Sequence, residues 1–166
     1  MQTIDFEALA SWCRASGYRL NNWLPSLPLA ASHLEFPLPS EAQDIPQLLD
    51  GLVRLGSEGD EYLIWARDWT IWTDRSQEIG LRHWDLLVDV MGSPANGERS
   101  RIVILRDSEW REAIALLVVA ALYGWDAHLF FRSAAALVNL SHDGRVAVAL
   151  QKGVGDYLQT WMASDT

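Results

Sequence analysis

The sequence predicts an α+β fold. A small, mostly antiparallel sheet with a C-terminal β-hairpin packs against a buried central helix and several amphipathic helices in one domain. The first observation is that every residue from Ala113 to Tyr123 is apolar. A helix that is apolar all round must be covered on most sides, and this run is too short for a bilayer, which needs about 20 residues. The second observation is Asp143-Gly144 between two apolar runs, which is typical of a hairpin turn.

Composition narrows the class of protein. A chain of 166 residues that is 49% hydrophobic suits one globular domain, 1–166, with a substantial core. The single cysteine, Cys13, excludes an internal disulfide and a cysteine-based zinc site. The net charge of -9 disfavours nucleic-acid binding, which needs a basic surface. Neither a signal peptide nor a spanning helix is recognisable, so we expect a cytoplasmic protein without membrane contact.

Residues 1–56 form a helical and proline-rich N-terminal part, and residues 57–166 carry the sheet and the central helix. Residues 5–16 predict a helix that Asp5 caps and Gly17 ends, and residues 44–55 predict a second one capped by Asp44 and followed by Gly56. Four prolines between Tyr18 and Ser40 disfavour both helix and central strand. We therefore expect an irregular wrap there. Its side chains predicted to pack on the body are Trp23, Leu24, Leu27 and Leu29.

The middle of the chain predicts strands followed by a helix. Residues 61–66 have strand composition, and residues 69–72 form a second strand or continue the first past a bulge at residues 67–68. Residues 73–91 favour a helix over a strand at 86–90, because Asp74 and Gln77 form a capping box and apolar residues recur at helical spacing. The inward side chains are Trp84, Leu87, Val88 and Met91. The opposite polar stripe is Glu78, Arg82, Asp85 and Asp89.

The last third predicts the central unit. Residues 102–105 form either a short strand or an extended lead into the helix 107–123. That helix has Asp107 or Ser108 as N-cap and Gly124 at the left-handed C-terminal position. A strand over 125–131 and a hairpin turning at 142–144 follow, with apolar residues alternating along its second arm. A final amphipathic helix is predicted from Val154 to Met162.

No pattern for catalysis, cofactor or metal emerges. Ser141-His142-Asp143 holds the residue types of a hydrolase triad, but neighbours in a strand or turn point to different sides, so a hairpin tip is the better interpretation. Cys13 lies on an apolar helix stripe, as a buried structural cysteine does. His83 and Asp85 do not face each other on a helix, and His33 and His128 are isolated. We expect no catalytic, cofactor-binding or metal-binding residues.

One group of residues suggests a partner-binding surface. Acidic residues surround a tryptophan cluster of Trp65, Trp69 and Trp72, and an aromatic patch ringed by acids suits a cationic or arginine-rich partner. The alternative is that these tryptophans fill the core, which is the better interpretation for Trp65. The predicted partner-binding residues are Asp60, Glu61, Asp68, Trp69, Trp72 and Asp74.

Three short motifs in the last two-thirds of the chain form a recognisable set: residues 65–72, Gly124-Trp125-Asp126 and Ser141-His142-Asp143. In these motifs the chain resembles small bacterial proteins of unknown function. The resemblance attaches no activity, although size and charge are similar to those of immunity proteins.

Three functions remain open. The first is a non-catalytic, acidic protein-binding module, in its most concrete form an immunity-type neutraliser of a basic bacterial toxin; nine tryptophans favour it, since tryptophan is enriched at interfaces. The second is a small enzyme with a site assembled from scattered residues. The third is a self-associating structural subunit, a possible homo-oligomer. The expected partner is another protein with a basic surface.

Overall fold

A computed structural model describes residues 1–21, 24–28, 30, 32–56, 59–67, 75–92, 101–133 and 135–151, with the side chains of the 75–92 segment described from residue 78 onward. The helices among these residues are α1 (Phe6–Ala15), α2 (Ile45–Val53), α3 (Arg75–Val90) and α4 (Trp110–Leu122). The strands are β1 (Gln2–Thr3), β2 (Arg19–Asn21), β3 (Leu24–Ser26), β4 (Ser32–Pro37), β5 (Glu61–Arg67), β6 (Ile102–Arg106), β7 (Asp126–Phe131), β8 (Ala136–Ser141) and β9 (Arg145–Leu150).

The strands form one large sheet and one small ribbon. Seven strands pair in the order β1-β6-β5-β7-β8-β9-β4, and every described pairing is antiparallel. Strands β2 and β3 pair separately as a two-stranded ribbon. The predicted α+β class and mostly antiparallel sheet are therefore confirmed. Both outer strands of the large sheet, β1 and β4, come from the first 56 residues, a contribution that the sequence did not predict.

The sheet is covered on both faces, because its central strands are apolar on both. In β5 every residue from Tyr62 to Ala66 is buried, where a half-buried strand would alternate. One face packs against α2, α3 and α4 around buried side chains such as Leu116 and Trp125. The other face packs against α1 and the segment that follows it, around Trp12 and Phe130. The result is a three-layered molecule with two cores.

The central helix begins later than expected. Residues Asp107–Glu109 form a turn of 3-10 helix, and Glu109 stands at the N-cap position of α4. The Glu109 carboxylate accepts the Arg106 N–H, while the Asp107 carboxylate accepts Gly59 N–H and the Tyr62 hydroxyl instead of capping the helix. Five residues of α4 are buried, but Leu122 is 54% exposed, so the helix is not covered on every side.

The other predicted helices and turns agree closely with the structure. In α1 the Asp5 side chain accepts the Ala8 N–H, whereas Asp44 precedes α2 without a side-chain cap bond. Residues 75–90 are helical, which confirms helix over strand there. Positive φ angles at Gly17, Gly124 and Gly144 confirm the two helix ends and the hairpin turn.

The predicted irregular wrap is wrong for β2, β3 and β4. Strand β4 pairs along its whole length with β9, from Ser32 opposite Leu150 to Pro37 opposite Arg145. Proline is compatible with this strand because Pro37 is its last residue and the strand is at the sheet edge. Leu27 packs inward as expected, but Leu24 is 64% exposed on the ribbon.

Some predicted features lie outside the described residues. These are the packing of Trp23 and Leu29, the bulge at residues 67–68, the strand at 69–72, the capping box of Asp74 and Gln77, and the last helix, 154–162.

Tyr18 ties the second layer to the sheet. Its hydroxyl is buried, accepts the Phe131 N–H at 3.0 Å, and is 2.9 and 2.7 Å from the carbonyl oxygens of Phe131 and Ala136. The hydroxyl therefore bridges the end of β7 and the start of β8.

We predict that Tyr18→Phe lowers the free energy of unfolding by about 1–3 kcal/mol, because the buried Phe131 N–H loses its acceptor. Urea unfolding of wild type and variant measures this difference. The matched control is Tyr62→Phe, whose hydroxyl donates to the partly exposed Asp107 and is replaceable by water, so its loss is smaller. Equal losses in the two variants would contradict the bridging role.

Candidate binding surfaces

The two described members of the predicted partner site are engaged within the chain. Asp60 is 8% exposed, and its carboxylate accepts bonds from the Ser133 hydroxyl, the Ser133 N–H and the Glu61 N–H. The Glu61 carboxylate accepts the Trp12 indole N–H at 2.7 Å. Both acids thus fasten the start of β5 to its neighbours. Sequence alone gives no sign of this, because Trp12 and Ser133 are distant in the chain.

The tryptophan cluster of the prediction is only partly described. Trp65 is 6% exposed and packs beside Phe6 and His128 in the second core, as the core interpretation predicts. The other four proposed partner residues lie outside the described residues: Asp68, Trp69, Trp72 and Asp74.

The hairpin tip does not assemble a hydrolase triad. His142 Nδ1 lies 2.9 Å from an Asp126 carboxylate oxygen, and its Nε2 lies 3.3 Å from Asp143. The ring therefore sits between two carboxylates, and the nitrogen that would take a proton from a serine faces Asp143 instead. Ser141 accepts the Asp143 N–H through its hydroxyl oxygen, an arrangement typical of a turn.

Cys13 is a structural residue, as predicted. The thiol lies fully buried in the second core between α1 and the sheet. Burial raises the pKa of Cys13 to about 12, so the reactive thiolate is scarce at neutral pH.

His128 is the most unusual polar residue in the described chain. It is 3% exposed in the second core, and neither ring nitrogen has a hydrogen-bond partner. Burial lowers the pKa of His128 to about 4, and the positive charge of Arg67 acts in the same direction, against a smaller opposite effect of Asp126. The imidazole is therefore neutral at physiological pH. In the sequence His128 is simply an isolated histidine, and its two ring nitrogens contact no hydrogen-bonding group among the described residues.

A shallow groove lies next to His128 on the same face of the sheet. It has a volume of about 440 Å³ and runs between β3 and the edge strand β4, with Ala147 and Ala149 at its floor. Asn139, the cross-strand neighbour of His128, lines its inner side, and the buried Asn139 Oδ1 also has no partner. His33 and Glu35 form the outer side without a hydrogen bond between them in the described structure. The groove can hold a polar group but offers no activated nucleophile among its described lining residues.

An apolar ridge on α3 faces away from the core. Trp84 and Val88 point inward, and three residues on the outer side of the helix are exposed although apolar: Ile79, Leu86 and Val90 at 41%, 59% and 76%. They recur at helical spacing, so they form one line. We call Ile79, Leu86 and Val90 the α3 ridge.

The neighbouring helix holds the α3 ridge in place. Gly80 has no side chain where a Cβ would lie 2.7 Å from Cγ of Tyr123, so α3 approaches the end of α4 closely. His83 Nδ1 lies 2.9 Å from the Tyr123 hydroxyl. These two contacts hold α3 against the end of α4.

Acidic side chains flank the α3 ridge on one side. Glu78, Asp85 and Asp89 follow the helix beside the apolar line, with Arg82 as the accompanying base. Arg82 donates to Glu78 at 2.7 Å, and both side chains are largely exposed. The sequence predicted this polar stripe and the inward residues of α3, but it assigned no role to Ile79, Leu86 and Val90.

The described residues contain neither a cluster of metal-binding side chains nor a membrane-spanning helix. No group of three or more histidine, cysteine, aspartate or glutamate side chains in this part of the chain is placed to hold a metal ion. No helix within the described ranges has the length and apolar character needed to cross a membrane.

Comparison with known proteins assigns no family. No family model matches the chain, no curated protein matches its sequence, and no solved structure matches its fold. The geometry of the surfaces described above is therefore the basis for any functional conclusion.

We predict that His128 makes stability fall in mild acid. Its pKa is about 4 in the folded chain against an ordinary 6.5, so the folded state favours the neutral ring. The free energy of unfolding is therefore unaffected by protonation of this histidine above about pH 6.5. It decreases by roughly 3 kcal/mol as the pH falls towards 4, because the unfolded chain takes up a proton more readily than the folded one. Unfolding free energies of wild type and His128→Leu between pH 7 and 4 measure it.

As the pH falls from 7 to 4, the free energy of unfolding should decrease more for wild type than for His128→Leu. His33→Gln is the control, since His33 is exposed, and its profile should follow that of wild type. Parallel profiles for wild type and His128→Leu would contradict the prediction.

Proposed function

We propose that this protein is a non-catalytic binding module that docks on another protein through the α3 ridge. The observation that carries the proposal is the exposure of three aligned apolar side chains on a helix whose opposite face is buried. Exposed apolar lines of this kind mark interaction sites, because leaving them in water is unfavourable. The ridge of one helix fits a groove or an apolar helix face on a partner.

Charge supports a basic partner. The flank of the α3 ridge carries Glu78, Asp85 and Asp89 against Arg82, and the whole chain has a net charge of -9. A partner that places lysine or arginine beside its own apolar face is attracted to this side and is guided during association. An immunity-type neutraliser of a basic toxin is the most specific version of this proposal.

The side chains that could take part in catalysis are buried or bonded within the chain, which supports binding over catalysis. Cys13 and His128 are enclosed in the second core, and Asp60 and Glu61 are occupied by bonds within the chain. By contrast, the α3 ridge presents apolar area to solvent. A partner would bury Leu86 and Val90 at its centre, with the acidic flank at its rim.

Site-specific photocross-linking in cells that make the protein tests the proposal. A photoreactive residue replaces Leu86 in one variant and Leu24 in the control, because both leucines are highly exposed but Leu24 lies on the β2–β3 ribbon. We expect Leu86 to cross-link one basic protein that Leu24 does not. The same product from both positions, or a cross-link only to a second copy of this chain, would contradict the proposal.

Affinity measurements with the cross-linked protein provide the quantitative test. Leu86→Asp should weaken binding by at least about tenfold, since central apolar residues carry most of the binding energy. Leu24→Asp should leave the affinity unchanged, and binding of the wild type should weaken as salt increases. Affinity that is unchanged by Leu86→Asp would eliminate the α3 ridge as the docking surface.

A further inference from the structure

Strand β4 lies at one end of the large sheet. It pairs with β9 on one side, and no described residue pairs with its other side. Beyond the strand, Leu38 N–H donates to the Gly144 carbonyl at 2.8 Å, in the same ladder. Because backbone groups alternate in direction along an antiparallel strand, Leu34 and Phe36 also point their N–H and C=O groups towards β9. The N–H and C=O groups of His33 and Glu35 therefore point outward, to an edge that no described strand occupies.

The side chains of this edge are also incompletely covered. Leu34 and Phe36 are half-buried at the margin of the first core, and His33 and Glu35 are exposed on the opposite face. Glu35 pairs with Arg145 across the β4–β9 ladder, and both side chains remain more than half exposed. An open edge with half-covered apolar residues readily accepts another strand.

We infer that β4 pairs with β4 of a second copy of this chain, antiparallel, across a two-fold axis at Leu34. The two-fold axis places Leu34 opposite Leu34, His33 opposite Glu35 and Ser32 opposite Phe36. His33 of each copy then lies opposite Glu35 of the other copy. Because both residues point their backbone groups outward, each of these two pairs is a hydrogen-bonded pair of an antiparallel ladder. Four backbone hydrogen bonds join the copies, two on each side of the axis.

The sequence of β4 is complementary to itself in this register. A basic and an acidic side chain, His33 and Glu35, lie on one face and meet their counterparts in the other copy. On the other face the half-buried Leu34 and Phe36 gain cover. The complementarity of charge and of backbone pattern identifies a second copy as the occupant of this edge.

Neighbouring registers that keep the two sheet faces aligned are less favourable. Moving the axis to Glu35 sets Glu35 against Glu35 and places His33 opposite Pro37, which has no N–H to donate. Moving it to His33 shortens the overlap of the two strands to residues 32–34. The Leu34 axis keeps residues 32–36 paired and leaves Pro37 outside the new ladder, where its missing N–H breaks no bond.

The dimer is expected to be weak, since one strand pairing buries less than a typical stable interface of about 1,600 Å². We therefore expect dimers to form only at high protein concentration. The inference does not depend on the proposed function, because β4 and the α3 ridge are different surfaces.

Disulfide trapping tests the register. Leu34→Cys places two thiols opposite each other, in a non-hydrogen-bonded pair with Cα atoms about 4.5 Å apart, within reach of a disulfide. The matched control is Phe36→Cys, on the same face of the same strand. Its two copies would be four residues apart along the ladder, about 14 Å, and cannot be joined. Cys13 is fully buried and does not compete.

We expect Leu34→Cys to form a covalent dimer under mild oxidation and Phe36→Cys to stay monomeric. Equal dimer formation by both variants, or none by either, would overturn the inference. Reduction should return the Leu34→Cys protein to the behaviour of wild type in sedimentation.

Sedimentation equilibrium of proteins with the native cysteine provides the second test. Glu35→Pro removes an outward N–H in each copy, and thus two of the four bonds between copies, without breaking the ladder to β9. Glu35→Ala removes the same side chain and keeps the N–H. We expect wild type to dimerise with rising concentration, Glu35→Ala to dimerise more weakly, and folded Glu35→Pro to stay a monomer. A wild type that is monomeric at millimolar concentration, or a Glu35→Pro protein that dimerises like Glu35→Ala, would refute the pairing.

Discussion

The structure depends on a sheet whose middle strands are apolar on both faces. In β5 five consecutive residues, Tyr62 to Ala66, are buried, and β7 is buried from Ala127 to Phe131. A strand of this kind is stable only when both faces are removed from water, which requires a layer on each side. The helices α2, α3 and α4 supply one layer, and α1 with the segment up to Leu27 supplies the other. This requirement explains why the sheet is the middle one of the three layers.

The same constraint decides where polar groups can act. Inside the layers they serve as ties: the Tyr18 hydroxyl joins β7 to β8, and Glu61 holds the Trp12 indole. His128 is enclosed with no hydrogen-bond partner among the described residues, so burial keeps it neutral and its protonation in mild acid is expected to lower stability. Among the described residues, exposed apolar side chains on the outer side of α3 and unpaired backbone groups at the edge of β4 lie at the margins of the layers. The proposed binding function rests on the first of these two surfaces.

Features that depend on residues close together in the chain could be predicted from the sequence. Features that depend on contacts between residues far apart in the chain could not. The apolar run from residue 113 and the Asp143-Gly144 turn are complete within a few residues, so α4 and the last hairpin were predictable. The four prolines between Tyr18 and Ser40 disfavour a central strand and so hid β4, although an edge strand needs no N–H at its one proline, Pro37. The engagement of Asp60 by Ser133 depends on residues 73 positions apart, which no local pattern reveals. The α3 ridge had a visible signal: its helix has more apolar residues than one face can bury.

Amide hydrogen exchange under native conditions tests the central claim most directly, because it reports how each strand opens. If both faces of β5 and β7 are sealed by separate layers, their amides exchange only when the whole chain unfolds. Their opening free energies should then equal the global free energy of unfolding from denaturant titration. Exchange of the Tyr62 to Ala66 amides through a partial opening, with a markedly smaller free energy, would show that one layer detaches alone and would contradict the account.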